Sequence, residues 1–402
     1  MTTRTEIESS RHYDVVVVGG RVAGASVALL LARAGHRVAV VERTRFPADT
    51  LSTNLIWPAG IVQLRKWGLL ATVARTGAPP LTMIRNEVDD MSFDLPVWPE
   101  SGVDAVYAPR RRELDALLLE AAASAGADVF DGVTLDGLSR DGRDRVDGVI
   151  GHRDGTPVHL TSHIVVGADG WRSGVARDAG ATVLEHHPPT NAVHYAYWAD
   201  LVDRGVELWF RSSGRMAGAF PSNAGTCVFV NCPTAEAAGL RDDLETGFRR
   251  FLREAAPDLA ERVSGSAPGS AIRGTPGLPR IRRTAHGPGW VLVGDAASTT
   301  DPVSAHGITA ALRDAELAAR AIDEALRHPI GARATLVGYE AERDRWRRID
   351  DIAWEMAAYR WDAARLLELQ LAFGQELVRE AQSMAALGAW ARAKFDSGAD
   401  AA

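Results

Sequence analysis

The first strong pattern in the chain is a run of β-branched residues that ends abruptly at a glycine turn. Residues 14–18 read Asp-Val-Val-Val-Val, and three glycines fall within the next six positions, 19–24. An apolar helix is predicted over 25–34, and a second β-branched run at 38–41 leads into Glu42. This order of strand, turn, helix and strand within about 30 residues is the parallel crossover unit of α/β folds.

The rest of the chain alternates between helical stripes, short strands and polar turns. Leucines at helical spacing predict a helix over 112–124, and Asp-Gly pairs beyond it predict an antiparallel meander. The last segment is almost wholly helical in pattern, with one apolar stripe from Ile352 to Leu366. The other predicted elements are a strand over 164–166, alternating aromatic strands over 194–232, a buried strand over 290–293 and a helix beginning near Gly307.

Composition limits the partners of this 402-residue chain, which is long enough for two intergrown domains. A formal net charge of −7 disfavours a nucleic-acid partner, which would require clustered basic residues. Cys227 and Cys232 lack the spacing of a metal site or a disulfide framework, so we expect reduced, buried thiols and no metal. Residues 1–11 lack the apolar core of a signal peptide, and no stretch approaches the ~18 apolar residues of a membrane span. We therefore expect a cytoplasmic protein without a membrane span.

The glycine turn has the features of a dinucleotide site. Gly19 permits the tight turn out of the strand, and Gly24 lets the helix pack closely on the sheet. A pyrophosphate would then lie at the helix N-terminus, and Glu42 would accept a hydrogen bond from a ribose. Arg21 stands where the GxGxxG pattern has its middle glycine. Taken alone, the turn is equally compatible with any tight connection between a strand and a helix.

Two further segments place a carboxylate directly after a buried strand. The first contains Asp169-Gly170, and the second contains Gly294-Asp295, followed by Pro302 and then by His306-Gly307-Ile308 at a helix start. A buried carboxylate at Asp295 would be costly without hydrogen-bond donors, which the hydroxyls of a ribityl chain would supply. The alternative is an aspartate that caps a helix, which the run as a whole disfavours.

With these three segments in this order, the chain resembles the p-hydroxybenzoate hydroxylase superfamily, the class A FAD-dependent monooxygenases. The resemblance covers roughly residues 14–339. It implies an α/β fold with a dinucleotide-binding, Rossmann-like FAD domain of the glutathione-reductase type, an intergrown β-sheet substrate domain and C-terminal helices. The expected boundaries are 12–75, 105–180 and 281–340 for the FAD domain, 76–104 and 181–280 for the substrate domain, and 341–402 for the helical region.

The resemblance also implies which residues contact FAD. Gly19, Arg21 and Gly24 would bind its ADP part, with Glu42 and Arg43 at the end of the second strand. Asp169 would contact FAD and the reduced nicotinamide, Asp295 would hold the ribityl chain, and Arg111, three positions before Leu114, would touch the flavin.

The segment around Pro302 would supply the chemistry. The helix that begins at Gly307 and Ile308 would point its N-terminus at the flavin, and its dipole favours an anionic reduced flavin by up to ~2 kcal/mol. That form reacts with dioxygen to give a C4a-hydroperoxide. Pro302 would line the substrate side of the ring. His306 would act as a proton donor or substrate anchor, or else be a structural histidine at the helix start.

Departures from the family pattern concern the substrate more than the cofactor. Ser298, Ala305 and Thr309 replace the His, Gly and Asn that are frequent at these positions. The run at 301–309 and the run at 49–53 resemble a bacterial subgroup of secondary metabolism.

Candidate substrate contacts come from the aromatic strands. Trp198, Trp209, Phe220 and Arg211 are predicted to line a pocket for a small aromatic or polycyclic substrate. Strand alternation places His194 and Trp198 on one face and Tyr195 and Tyr197 on the other. Simple core filling by the aromatic residues, and a solvated arginine, are the alternatives.

Three other functions share these motifs. A reductase of isoprenoid double bonds has the same fold, a flavin-dependent halogenase would need a well-placed lysine and a WxWxIP segment, and a flavoprotein without catalysis would bind FAD only. Lys66 is poorly placed for halogenation, and no WxWxIP occurs. No second dinucleotide turn is present, so NAD(P)H would bind transiently, or a partner flavin reductase would deliver reduced flavin. We expect insertion of one oxygen atom from O2 as the leading function.

Overall fold

The computed structural model of the protein describes residues 12–201, 204–240 and 243–388. Its strands are β1 (His12–Val18), β2 (Val38–Glu42), β3 (Met83–Val88), β4 (Met91–Pro96), β5 (Asp128–Asp131), β6 (Val133–Arg140), β7 (Val146–Arg153), β8 (Thr156–Gly167), β9 (Val183–His187), β10 (Asn191–Trp198), β11 (Val206–Arg211), β12 (Arg215–Ser222), β13 (Gly225–Pro233), β14 (Arg273–Thr275), β15 (Arg280–Arg283), β16 (His286–Gly287) and β17 (Trp290–Leu292). Its α-helices are α1 (Val22–Arg33), α2 (Pro58–Lys66), α3 (Leu70–Ala74), α4 (Arg111–Ser124), α5 (Gly174–Asp178), α6 (Leu244–Ala255), α7 (Pro257–Arg262), α8 (Gly307–Arg327), α9 (Ala332–Asp344), α10 (Arg347–Ala357) and α11 (Ala363–Ala386).

An eight-stranded sheet forms the centre of the first half of the molecule. Its strand order is β16-β17-β8-β1-β2-β5, and β7 joins it through β8 and carries β6 at the edge. β1 lies parallel to both β2 and β8, with Val15 beside Val38 and Ile164. Residues 15–18 are buried because helices cover both faces of a parallel sheet, which explains their unbroken apolar run. The predicted crossover unit and the antiparallel meander β6-β7-β8 are both confirmed.

A seven-stranded sheet, ordered β14-β10-β13-β12-β11-β3-β4, forms the second layer. Its strands are antiparallel except for β11 and β3, which run parallel. One face packs against α6 and α7 through a cluster that includes Trp198, Trp209 and Phe248. The other face packs towards α10 and α11 through a cluster that includes Phe220 and Phe229. The two faces of this sheet therefore belong to different surroundings.

The C-terminal helices differ from the single stripe that the sequence predicts. Residues 358–362 separate α10 from α11, and Tyr359 adopts a φ of +52°, which no regular helix contains. Ile352 and Leu366 consequently lie on two helices rather than on one. The predicted helical residues beyond 388 lie outside the described part of the chain.

Helix α11 also reaches the FAD-binding half. The Gln63 amide contacts the Met384 sulfur at 3.4 Å, and the Lys66 ammonium donates to the Met384 carbonyl at 2.9 Å. Lys66 is thereby engaged at a helix interface. Among the described residues, no helix is long and apolar enough to cross a membrane.

Candidate functional site

The turn after β1 leaves room for glycine alone at two positions. Gly19 has a φ of +106°, and a Cβ there would lie 2.4 Å from the Ala168 carbonyl oxygen. A Cβ on Gly24 would lie 1.9 Å from the Gly19 carbonyl oxygen. Helix α1 begins directly afterwards with no side-chain cap and no acidic residue in its first turn. Its first N–H groups and its dipole are therefore available to an anion such as a pyrophosphate.

Two arginines beside this turn are held by one buried carboxylate. Asp115 is fully buried and accepts from Arg21 at 2.6 Å and from Arg111 at 2.9 and 3.1 Å. The Arg21 guanidinium also lies over the Phe46 ring. The sequence analysis missed Asp115, although its spacing of four residues from Arg111 on one helix was a usable signal.

Glu42 ends β2 with its carboxylate turned back to the glycine turn. It is 8% exposed and accepts from the Gly20 N–H at 2.7 Å and from the Thr44 N–H at 2.6 Å. Its remaining acceptor capacity suits a ribose hydroxyl. The neighbouring Arg43 is exposed.

Asp169 organises its own loop. Its carboxylate accepts from the Ser173 hydroxyl at 2.5 Å and from the Val175 N–H at 3.1 Å, at the start of α5. Both carboxylate oxygens thus have partners within the segment. A direct contact with FAD or nicotinamide stays a prediction.

Asp295 is the carboxylate that lacks a partner. Within the described residues its side chain makes no hydrogen bond or ion pair, and it is only partly exposed. Burial raises the pKa of Asp295 to about 6, and the positive charge of Arg111 opposes that increase. An orphaned carboxylate beside a glycine cradle fits a group rich in hydroxyl donors, as the ribityl chain of FAD is.

The segment 301–307 joins the FAD side to the substrate side. Asp301 caps a short 3-10 turn by accepting from the Val303 N–H at 2.9 Å, and Ala305 follows with a φ of +49°. Helix α8 then begins at Gly307 with no side-chain cap and no acidic residue in its first turn. A Cβ on Gly307 would meet no atom within 4 Å, so open space lies before this helix end.

His306 does not face the substrate side, contrary to the expectation from its position. It is 1% exposed, and its Nε2 lies 2.8 Å from the Glu380 carboxylate on α11. Glu380 also accepts from Arg313 at 2.8 Å. Burial acts to raise the pKa of Glu380, but His306 and Arg313 outweigh it and the pKa is lowered. The histidine thus belongs to a buried charge cluster between α8 and α11.

A cavity of about 540 Å³ lies between the seven-stranded sheet and α11. Pro302, Val303, Ser304 and Ala305 form part of its wall. Most of the remaining wall is apolar and aromatic, and it includes Trp57, Phe210, Met216, Phe220, Phe229 and Phe373. This size and lining suit a small planar ligand.

The predicted substrate residues divide between the two faces of the sheet. Phe220 lines the cavity as expected. Trp198 and Trp209 do not, because they lie on the opposite face, where Trp198 stacks on Phe248 with ring centres 6.0 Å apart. Arg211 is also absent from the wall, since it bonds to the Glu87 carboxylate and the Asp89 carbonyl. Strand alternation identifies which residues share a face but not which face covers a cavity.

Helix α11 supplies a wall that the sequence analysis assigned no role. Gln370, Phe373 and Gly374 line the cavity, as does Asn231 on β13. Spacings of three and four residues place the α11 positions on one side of the helix. An apolar stripe interrupted by a glutamine was the only signal in the sequence.

Three comparisons with known proteins agree with this geometry. The profile of a family described as "FAD binding domain" matches residues 12–349. Menaquinone reductase of Mycolicibacterium smegmatis is 29% identical, over 76% of this chain and 75% of that protein. The 6-methylpretetramide 4-monooxygenase of Streptomyces rimosus is 30% identical, over 79% of this chain and 76% of that protein.

A solved structure extends the similarity to the fold. PqsL, described as an FAD-dependent monooxygenase of Pseudomonas aeruginosa, is 27% identical with a TM-score of 0.77, over 90% of this chain and 100% of that one. Another PqsL structure contains 2-aminobenzoylacetate. The chain therefore belongs to the FAD-binding-domain family that includes the class A FAD-dependent monooxygenases, and FAD is its cofactor.

Proposed function

We propose that the protein inserts one atom of dioxygen into a small, planar and largely apolar substrate held in the cavity beside FAD. The observation that carries this proposal is the wall shared by the cavity and the segment 302–305, directly before the uncapped start of α8. When bound and reduced, FAD supplies the activation of dioxygen for this transfer.

The cofactor would be held by the groups that the structure leaves available. The glycine turn and the start of α1 take the pyrophosphate, Glu42 takes the ribose, and Asp295 takes the ribityl hydroxyls. The start of α8 stabilises negative charge in front of it by up to ~2 kcal/mol, because its N–H groups and dipole face open space.

The cavity wall keeps water from the reacting centre. Trp57 fixes this wall by donating from its ring N–H to the Ser304 carbonyl at 2.8 Å, while its backbone N–H donates to the Thr309 hydroxyl at 2.9 Å. Phe220 and Phe229 cover the sheet side. Excluding water matters because reduced flavin and dioxygen otherwise yield peroxide and waste the reductant.

Labelled dioxygen tests the proposal directly. Product formed under labelled dioxygen should carry one labelled atom, and reduced enzyme should consume oxygen faster with its substrate than without it. A reductase, as the menaquinone reductase relative suggests, would instead give a product with two added hydrogens under strictly anaerobic conditions. Product without label, or product without oxygen, would contradict the monooxygenase.

The electrons come from NAD(P)H in this proposal, either by transient binding or through a partner flavin reductase. Anaerobic mixing of the FAD-loaded enzyme with NADH or NADPH, with substrate present, separates the two routes. Rapid bleaching of the flavin supports direct reduction. No bleaching until a flavin reductase is added supports delivery.

A further inference from the structure

The cavity contains polar atoms that nothing in the described chain satisfies. The side-chain oxygen and nitrogen of Gln370 are both buried without a hydrogen-bond partner, and so is the Asn231 side-chain oxygen. Both residues line the cavity. Buried amide groups are normally paired, because leaving them unpaired costs free energy. A bound ligand would remove that cost.

We propose that the substrate is an uncharged planar molecule with a lactam-type N–H and C=O that pair with Gln370, and with a further N–H or O–H that donates to Asn231. This inference rests on the proposed function, since it names the class of molecule that the same cavity takes.

The Gln370 side chain dictates a two-sided partner. A primary amide presents one acceptor and two donors in a plane. A lactam presents a donor and an acceptor side by side, so it can satisfy the Gln370 oxygen and nitrogen together. An ether or a simple ketone satisfies only one of them, and a hydrocarbon satisfies neither.

The orientation of the Asn231 amide follows from a chain of hydrogen bonds. The Asp301 Oδ1 accepts from the Val303 N–H at 2.9 Å, so the Asn191 atom 2.8 Å from it must be the nitrogen. The Asn191 oxygen then accepts from the Tyr359 hydroxyl at 2.7 Å and from the Asn231 nitrogen at 3.3 Å. The Asn231 oxygen is therefore the atom left for the ligand, and it requires a donor.

The cavity gives no support to a charged ligand. Of the residues along its wall, Glu100 and Arg379 are ionisable, both side chains are exposed, and Arg379 is paired with Glu376 at 3.0 Å. A carboxylate among Phe220, Phe229 and Phe373 would lose its hydration without a cationic partner. This differs from the ligand 2-aminobenzoylacetate of the PqsL structure, which carries a carboxylate.

Binding to the oxidised FAD-loaded enzyme tests the Gln370 pairing without any turnover. The probes are 2-quinolinone, its 1-methyl derivative and 2-naphthoate, and the readouts are calorimetry and the perturbation of flavin absorption. We expect 2-quinolinone to bind at least about tenfold more tightly than the 1-methyl derivative, which lacks the donor. 2-Naphthoate should bind most weakly of the three.

Variants of α11 assign the preference to its residue. Gln370→Leu should reduce the affinity for 2-quinolinone to that for the 1-methyl derivative. Gln382→Leu makes the same change on the same helix, away from the cavity wall, where Gln382 bonds to the Glu100 carbonyl, and should preserve the preference. Retention of FAD and an unchanged unfolding midpoint establish that each variant is folded.

Asn231 is tested with 2-quinolinones hydroxylated at each ring position, against their methoxy counterparts. At least one hydroxyl position should gain about tenfold in affinity, and Asn231→Leu should remove that gain. The inference is overturned by equal binding of 2-quinolinone and its 1-methyl derivative to wild-type enzyme, by tighter binding of 2-naphthoate, or by the absence of a favoured hydroxyl. Even so, the labelled-oxygen result would stand, because binding to oxidised enzyme is independent of oxygen transfer.

Discussion

Asp301 shows how a single buried carboxyl ties stability to pH. Burial raises its pKa to about 7, although the Val303 N–H and the Asn191 amide act to lower it. Because the folded state holds the proton more tightly than the unfolded chain does, the free energy of unfolding falls as pH rises from the ordinary value of 3.8 to about 7. Above that range the loss is complete.

Asp301→Asn should remove this dependence. Asparagine keeps the acceptor for Val303 and Asn191 but carries no charge, so the variant should gain on wild type by up to about 4 kcal/mol between about pH 5 and about pH 8. Urea unfolding at both pH values measures the difference. Asp243→Asn is the control, since Asp243 is exposed and Thr246 hydrogen bonds lower its pKa, which places its titration below this range. A gain that does not change with pH would refute the assignment.

Asp295 should trade stability for cofactor binding. Asp295→Ala removes the acceptor for ribityl hydroxyls, so FAD should bind more weakly by about 1.5–3 kcal/mol. The FAD-free variant should be more stable than FAD-free wild type above about pH 6, where wild-type Asp295 is ionised and desolvated. Flavin fluorescence titration and urea unfolding measure the two effects. Asp295→Asn, which keeps an oxygen acceptor, should lose less affinity than Asp295→Ala does.

At the scale of elements, α8 and α11 are joined by the buried cluster of His306, Glu380 and Arg313. His306→Ala should lower the free energy of unfolding by about 3–5 kcal/mol and leave FAD bound, because it removes one partner of a buried ionic group. A double-mutant cycle with Glu380→Gln measures the coupling between the two side chains. Full stability together with an altered pH–rate profile would instead make His306 catalytic.

The two faces of the seven-stranded sheet should respond differently to substitution. Phe220→Leu changes the cavity wall, so it should alter substrate affinity and the fraction of consumed oxygen that reaches product. Trp198→Phe on the opposite face should reduce stability through its contact with Phe248 and leave both catalytic quantities unchanged. Oxygen uptake and product yield, measured beside unfolding curves, compare the variants. Identical effects of both substitutions would argue against the division of faces.

At the scale of the whole molecule, the sequence predicted what local chemistry determines. Gly19 and Gly24 stood out because their surroundings tolerate no side chain, and that requirement is visible in the motif itself. Which face of a sheet covers a cavity depends on other elements, so Trp198 and Phe220 could not be told apart. The break at Tyr359 carries no Gly or Pro signal, and it decides how α11 turns back to place Gln370 in the cavity.

Helix α11 presents different sides to two tasks, and this separation bears on how such a protein changes over generations. Glu380 and Met384 fasten the helix to α8 and α2, while Gln370 and Phe373 face the cavity. Substitutions at the cavity positions can accumulate without disturbing the attachment. A descendant could thus acquire a new substrate through a few changes on one helix, while inheriting its cofactor machinery intact.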